Sequence, residues 1–235
     1  YGADALRLTL ITGNAPGNDM RFYWERVEAS RNFANKVWNA SRFIMMNDPD
    51  NKIKATDEKP ANLTAADKWI LSKMNSLIKE VTDNMEKYDL GIAVAKLNDF
   101  IWEEFCDWYI EFVKPQLYAD DQNAKHAAQW TLYHVFTDIL RLLHPFMPFI
   151  TEELWQHLCD RTDGESLMVS PLSMSALVDE DIIREFEVVK EVISNIRSIR
   201  LQKNIAQKET LELQVIGENP VVAFNAVIMK MCNLS

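Results

Sequence analysis

The sequence predicts an all-α fold, a helical bundle with a small truncated α+β unit at the C-terminus. Three observations point there. Gly totals six and Pro eight in 235 residues, and long stretches contain neither, which suits long helices. Through most of the chain, apolar residues recur in steps of three and four, the spacing of an amphipathic helix. Only near the end does the period change to two: Leu211, Leu213 and Val215 alternate with polar residues, as in a half-buried strand. With 48% hydrophobic residues, the chain is long enough to bury a core and to form one or two domains.

The elements follow in order. Residues 3–12 read as a short helix. The stretch 13–19, GNAPGND, is a loop of turn formers. From Phe22 to Asn47 nothing interrupts a long helix. Residues 47–62 are a polar connector. Helix resumes after Leu63 with Thr64 as N-cap, its hydroxyl placed to accept an orphan backbone N–H, and runs to about Tyr88. Over 89–117, Val94, Leu97, Ile101, Phe105, Trp108 and Phe112 form the apolar stripe of another helix, with Pro115 near its end. After a polar break at 120–125, a further helix reaches about Leu143. Pro145 and Pro148 force a bend, because proline lacks an N–H and clashes with a preceding helical turn. A new helix starts near Pro148, with Glu152 and Glu153 expected in its first turn. Residues 160–180 form a looser connector, and helix runs from about Glu180 to Lys203. After the expected strand at 210–217, a last helix is expected with Asn219 as cap and Pro220 at its first position. Trp69, Trp102, Trp108, Trp130 and Trp155 fall at apolar positions and are read as core. The units are a connector (1–20), a bundle (21–175) and the small α+β unit (176–235). The chain opens at Tyr1 and closes in mid-pattern at Ser235, so it reads as part of a longer protein.

Composition excludes several functions. With 25 basic against 35 acidic residues the net charge is −10, so an anionic partner must meet local patches rather than a polycation. Cys106, Cys159 and Cys232 are far apart with no C-x-x-C, which fits a reducing cytoplasm rather than a disulfide framework. The four histidines show no metal-ligand spacing, so no metal is expected. No apolar run approaches membrane length. There is no phosphate-cradling glycine motif and no nucleophile elbow. Paired carboxylates such as Glu103/Glu104 diverge around a helix. No catalytic residue is assigned.

The stretch 31–43, RNFANKVWNASRF, stands out. Asn is a mediocre helix former, because its amide competes for nearby backbone groups. On a helical wheel Phe33, Val37, Ala40 and Ile44 share one narrow arc. Glu28, Arg31, Asn32, Asn35, Asn39, Arg42 and Phe43 lie opposite. Amides read base edges, arginine grips phosphate or stacks, and an exposed aromatic is a stacking platform. The spacing is equally compatible with asparagines bonded to a neighbouring helix and Phe43 at the edge of the core. Lys36 adds to a local basic excess over 21–46. A second basic stretch, 195–208, contains Arg197, Arg200, Lys203 and Lys208 and no acid. It is a solvated face, or it touches a phosphate backbone or another part of the parent protein.

Four segments resemble, in this order, bacterial valyl-tRNA synthetases of class I. They are YGADALR (1–7), RVEASRNFANKVWNASRFIMMN (26–47), WEEFCDWYIEFVKP (102–115) and LLHPFMPFITEELWQHL (142–158). The fourth is shared with the isoleucine, leucine and methionine enzymes. The resemblance implies the anticodon-binding bundle of an enzyme that activates valine with ATP and Mg²⁺ and esterifies it to tRNA(Val). It implies that the catalytic motifs lie outside this chain, so the fragment itself needs no cofactor and catalyses nothing. It further implies that the polar face of the first long helix meets the anticodon loop. Arg31, Asn32, Asn35, Lys36 and Asn39 would form that face, with Phe43 beside Arg42 stacking on a base. Apart from the resemblance, the second basic stretch offers Arg197, Arg200 and Lys203 as candidate secondary backbone contacts. The expected partners are tRNA(Val) and the rest of the synthetase chain, in a cytoplasmic monomer without membrane contact. The alternatives are the same domain of an isoleucine enzyme and a helical protein-interaction scaffold.

Overall fold

The structure is a computed structural model, and it describes every residue except 14–16, 18, 51, 52, 55, 172, 173, 175, 218 and 220. Several residues of the 13–19 loop and of the two connectors therefore lie outside the described residues. The described chain is helical, with α1 (Ala3–Ile11), α2 (Trp24–Asn47), α3 (Ala65–Glu86), α4 (Leu90–Asp99), α5 (Ile110–Leu117), α6 (Gln122–Leu143), α7 (Pro148–Leu158), α8 (Glu180–Gln202) and α9 (Asn225–Cys232). Among the described residues there is no strand. Among them no helix is long and apolar enough to cross a membrane.

Local chemistry sets most boundaries. Thr64 and Asp67 form a capping box at the start of α3, each satisfying an orphan N–H of the other. Asp121 and Asp179 accept backbone hydrogens at the starts of α6 and α8. The run expected at 89–117 is unbroken, but Phe100–Tyr109 is π-helical. Bonds that reach one residue further widen the turn and shift its phase. Tyr109 is therefore fully buried, while Trp108, expected in the stripe, is half-buried.

The core gathers around α3, α6 and the π-helical segment. Trp69 stacks on Phe186 of α8 with ring centroids 3.5 Å apart, which fixes α8 to the bundle. Trp130 and Trp155 are also buried, whereas Trp102 is 37% exposed, contrary to the core role expected for it. Asp67 is wholly buried. Its carboxylate accepts from Thr64 N at 2.9 Å, Thr64 Oγ1 at 2.7 Å and Tyr109 Oη at 2.7 Å, so the buried charge is hydrogen-bonded.

Three further expectations are corrected. Glu152 and Glu153 lie beyond the first turn of α7. Its free N–H groups are met instead by Asp4 of α1, whose Oδ2 accepts from Ile150 N at 2.7 Å and Oδ1 from Phe149 N at 3.3 Å. The expected α+β unit is also absent among the described residues, because Leu211 finds only one parallel bridge, to Leu234. Alternation supplies an apolar face, but a strand needs a ladder of backbone partners. Leu213, Val215 and Ile216 stay exposed. Pro220 lies outside the described residues. Asn219 does not cap α9; its Oδ1 accepts from Val221 N at 3.0 Å, and a 3₁₀ turn, Val222–Phe224, precedes the helix.

Candidate nucleic-acid interface

Helix α2 divides as its sequence period demands. Phe33, Val37, Ala40 and Ile44 are buried. Asn32, Asn35, Asn39 and Arg42 are exposed on the other side, and Arg31, Lys36 and Phe43 are half-buried. The side chains of Asn35, Asn39 and Arg42 form no hydrogen bond or ion pair with any described residue. The asparagines are thus not bonded to a neighbouring helix. Phe43 packs in part against the core, so it offers only part of its ring.

The rest of the face is engaged within the chain. Arg31 Nη2 lies 3.3 Å from Glu28 Oε1 and donates to Asn32 Oδ1 at 3.1 Å. Its guanidinium carbon sits 5.4 Å from the ring centre of Tyr1. Lys36 Nζ donates to Asp107 Oδ1 at 2.6 Å and lies 4.2 Å from the ring centre of Trp102. The local basic excess is therefore partly cancelled by Glu28 and by Asp107, which the π-helical segment brings across. Beside Asn32 and Trp102 opens a cavity of about 550 Å³ between α1, α2 and α4. Burial pushes the Cys106 thiol up to about 12, with Lys36 opposing and Asp107 assisting, so this cysteine is a packing group and not a nucleophile.

Sequence reasoning passed over Trp38. It is 43% exposed, three residues after Asn35 and four before Arg42, and so borders the polar face. Its spacing was the available signal. The second basic stretch does not act as one surface. Arg197 is exposed, 5.8 Å from the ring centre of Trp108, and Lys203 is exposed at the end of α8. Arg200, expected to touch a phosphate backbone from the surface, is 4% exposed. Its guanidinium donates to carbonyls of 206, 232 and 233, because the chain folds back over it.

Residues 67–215 match the family model described as the anticodon-binding domain of tRNA ligase. The chain belongs to this family. The matched span leaves out α1 and α2, but curated relatives align across them. This anticodon-binding domain is 53% identical over 205 residues to the valine–tRNA ligase of Clostridium perfringens, covering 87% of this chain and 23% of that protein. It is 50% identical to the valine–tRNA ligase of Bacteroides thetaiotaomicron, covering all of this chain and 26% of the relative. The domain thus spans about a quarter of the length of these relatives. The fold is also similar to a solved structure described as the ternary complex of Agrobacterium radiobacter K84 agnB2 LeuRS, tRNA and LeuAMS. The TM-score is 0.56 at 19% identity, over 78% of this chain and 20% of that one.

Proposed function

We propose that this domain holds the anticodon loop of tRNA(Val) for a cytoplasmic, monomeric valine–tRNA ligase. The parent enzyme would activate valine with ATP and Mg²⁺ and esterify it to the tRNA, with the chemistry supplied by other parts of its chain. The observation that carries the reading is the free amide face of α2, where Asn35, Asn39 and Arg42 have no partner among the described residues. Unpaired anticodon bases offer Watson–Crick edges to such amides and π-faces to Phe43 and Trp38, and arginine positions the backbone. The relatives named above favour valine over isoleucine.

Base stacking contributes on the order of 1–3 kcal/mol per base. Phe43→Ala also removes core packing, so its binding loss is read beside its thermal midpoint. The cleaner test is the Asn39→Ala, Arg42→Ala double variant, titrated with tRNAs carrying valine and isoleucine anticodons. Binding of the valine tRNA should fall roughly ten-fold or more, with folding unaffected. Unchanged affinity sinks the site assignment, and equal affinity of the unsubstituted domain for both tRNAs sinks the valine assignment. Because the chain is acidic overall, binding should be weak and salt-sensitive.

A further inference from the structure

Arg200, on the last turn of α8, is a buried guanidinium with no counter-ion among the described residues. Nη1 donates to Ala206 O at 3.0 Å, and Nη2 donates to Cys232 O at 2.8 Å and Asn233 O at 3.2 Å. These acceptors are neutral. Nε is buried and meets no acceptor. Among the described residues no carboxylate lies within ion-pair distance of Arg197, Arg200 or Lys230. A buried charge that meets only carbonyls is left uncompensated, and that is costly.

The same guanidinium lines a cleft of about 380 Å³ between the end of α8, the turn after it and α9. Arg197 and Lys230 also line it, both exposed, and no acidic residue does. Arg197 and Arg200 lie one turn apart on α8. Burial pushes the Cys232 thiol up, while Arg197 and Arg200 both pull it down.

We propose that this cleft is a phosphate site. An oxyanion held there sits against the Arg200 side chain, whose Nε–H has no acceptor, with the exposed Arg197 and Lys230 at the rim. A carboxylate would offset only one of three cations. A phosphate carries more charge and several strong acceptors, and arginine matches its geometry. Two sources share this chemistry, a phosphodiester of an RNA backbone and a free phosphate or phosphomonoester. The proposal stands apart from the α2 reading, because phosphate binding is tested without tRNA, which enters only to separate the two sources.

The probe is inorganic phosphate, added to the full chain at constant ionic strength with chloride as the control. The Arg200 Nε–H resonance, assigned from its loss in Arg200→Lys, should shift and saturate with phosphate and not with chloride. The Arg197→Gln, Lys230→Gln double variant changes two exposed side chains and should keep its thermal midpoint while losing that shift. A resonance that stays in place, or moves equally with chloride, overturns the proposal. The same double variant then separates the sources. A salt slope of tRNA binding smaller by about one per lost contact points to an RNA phosphodiester. A lost phosphate response with an unchanged slope points to a free phosphate group.

Discussion

Lys36 Nζ lies 2.6 Å from Asp107 Oδ1 and 4.2 Å from the ring centre of Trp102, joining α2 to the π-helical segment across the edge of the candidate interface. The Asp107 side chain is 51% exposed, so the pair contributes only about 0–1 kcal/mol to stability. Its larger effect is to remove one cation from a face proposed to meet RNA. Asp107→Asn should therefore tighten tRNA binding roughly two- to five-fold at low salt, with the gain fading as salt rises. Filter binding at two salt concentrations reads this. Weaker binding by the variant would mean that Lys36 must stay held to work.

Asp4 ties the first sequence motif to the fourth. It caps α7 through Phe149 N and Ile150 N, while Arg7 donates to Pro145 O at 3.0 Å and Phe146 O at 3.3 Å. Both sides of the α6–α7 bend thus rest on α1. Asp4→Ala should cost about 1–2 kcal/mol, the range for a lost N-cap near a helix dipole. Asp4→Asn should recover part of it, because an amide oxygen still accepts. Urea unfolding of the two variants checks both statements. Equal losses would mean that charge, not acceptance, does the capping.

Tyr109 donates to a carboxylate that solvent does not reach. Tyr109→Phe removes that donor without opening a cavity. The expected loss is about 1.5–3 kcal/mol, as for a hydrogen bond to a buried charged group. Hydrogen exchange should also speed up at the first turn of α3, where the same carboxylate holds Thr64 N. A neutral substitution would show that Thr64 alone satisfies Asp67.

What the sequence disclosed was what acts over a few residues. The Thr64 cap, the gap-free run of α2 and the bend at Pro145 and Pro148 each depend on neighbours in the chain. The polar face of α2 was legible for the same reason, since periodicity places Asn35, Asn39 and Arg42 together. What failed depended on distant partners. Asp4 reaches an N–H 146 residues away, and no local pattern marks a cap at that distance. Arg200 sits in a basic run that looks solvated, and only the return of α9 buries it. Trp108 and Tyr109 exchanged burial because a π-helical turn shifted the phase of the stripe. The alternation at 211–215 was real, but its partner strand was not among the described residues.

Acid should act first on the α6–α7 bend, in two steps. His144 Nδ1 lies 2.8 Å from Thr151 Oγ1, and Nε2 is buried without a hydrogen-bond partner. Burial lowers the His144 pKa below its ordinary 6.5, against the pull of Glu152 and Asp4. The unfolded chain then takes up the proton first, so stability falls as pH drops below 6.5, until the native imidazole also titrates. Glu152 behaves as a depressed carboxylate. Burial alone would raise it, but hydrogen bonds from Gln156, Ser166 and Leu167 N, with the charge of His144, bring it below 4.5. Its contribution is complete above pH 4.5 and is lost as pH falls through the lower native value. Urea midpoints measured from pH 7 to pH 3 should show both declines. His144→Gln should flatten the upper one and leave most of the lower, which rests mainly on hydrogen bonds, and Glu152→Gln should flatten the lower and leave the upper at least as steep, because burial drives it. If either variant flattens both, the two groups titrate as one pair across the bend.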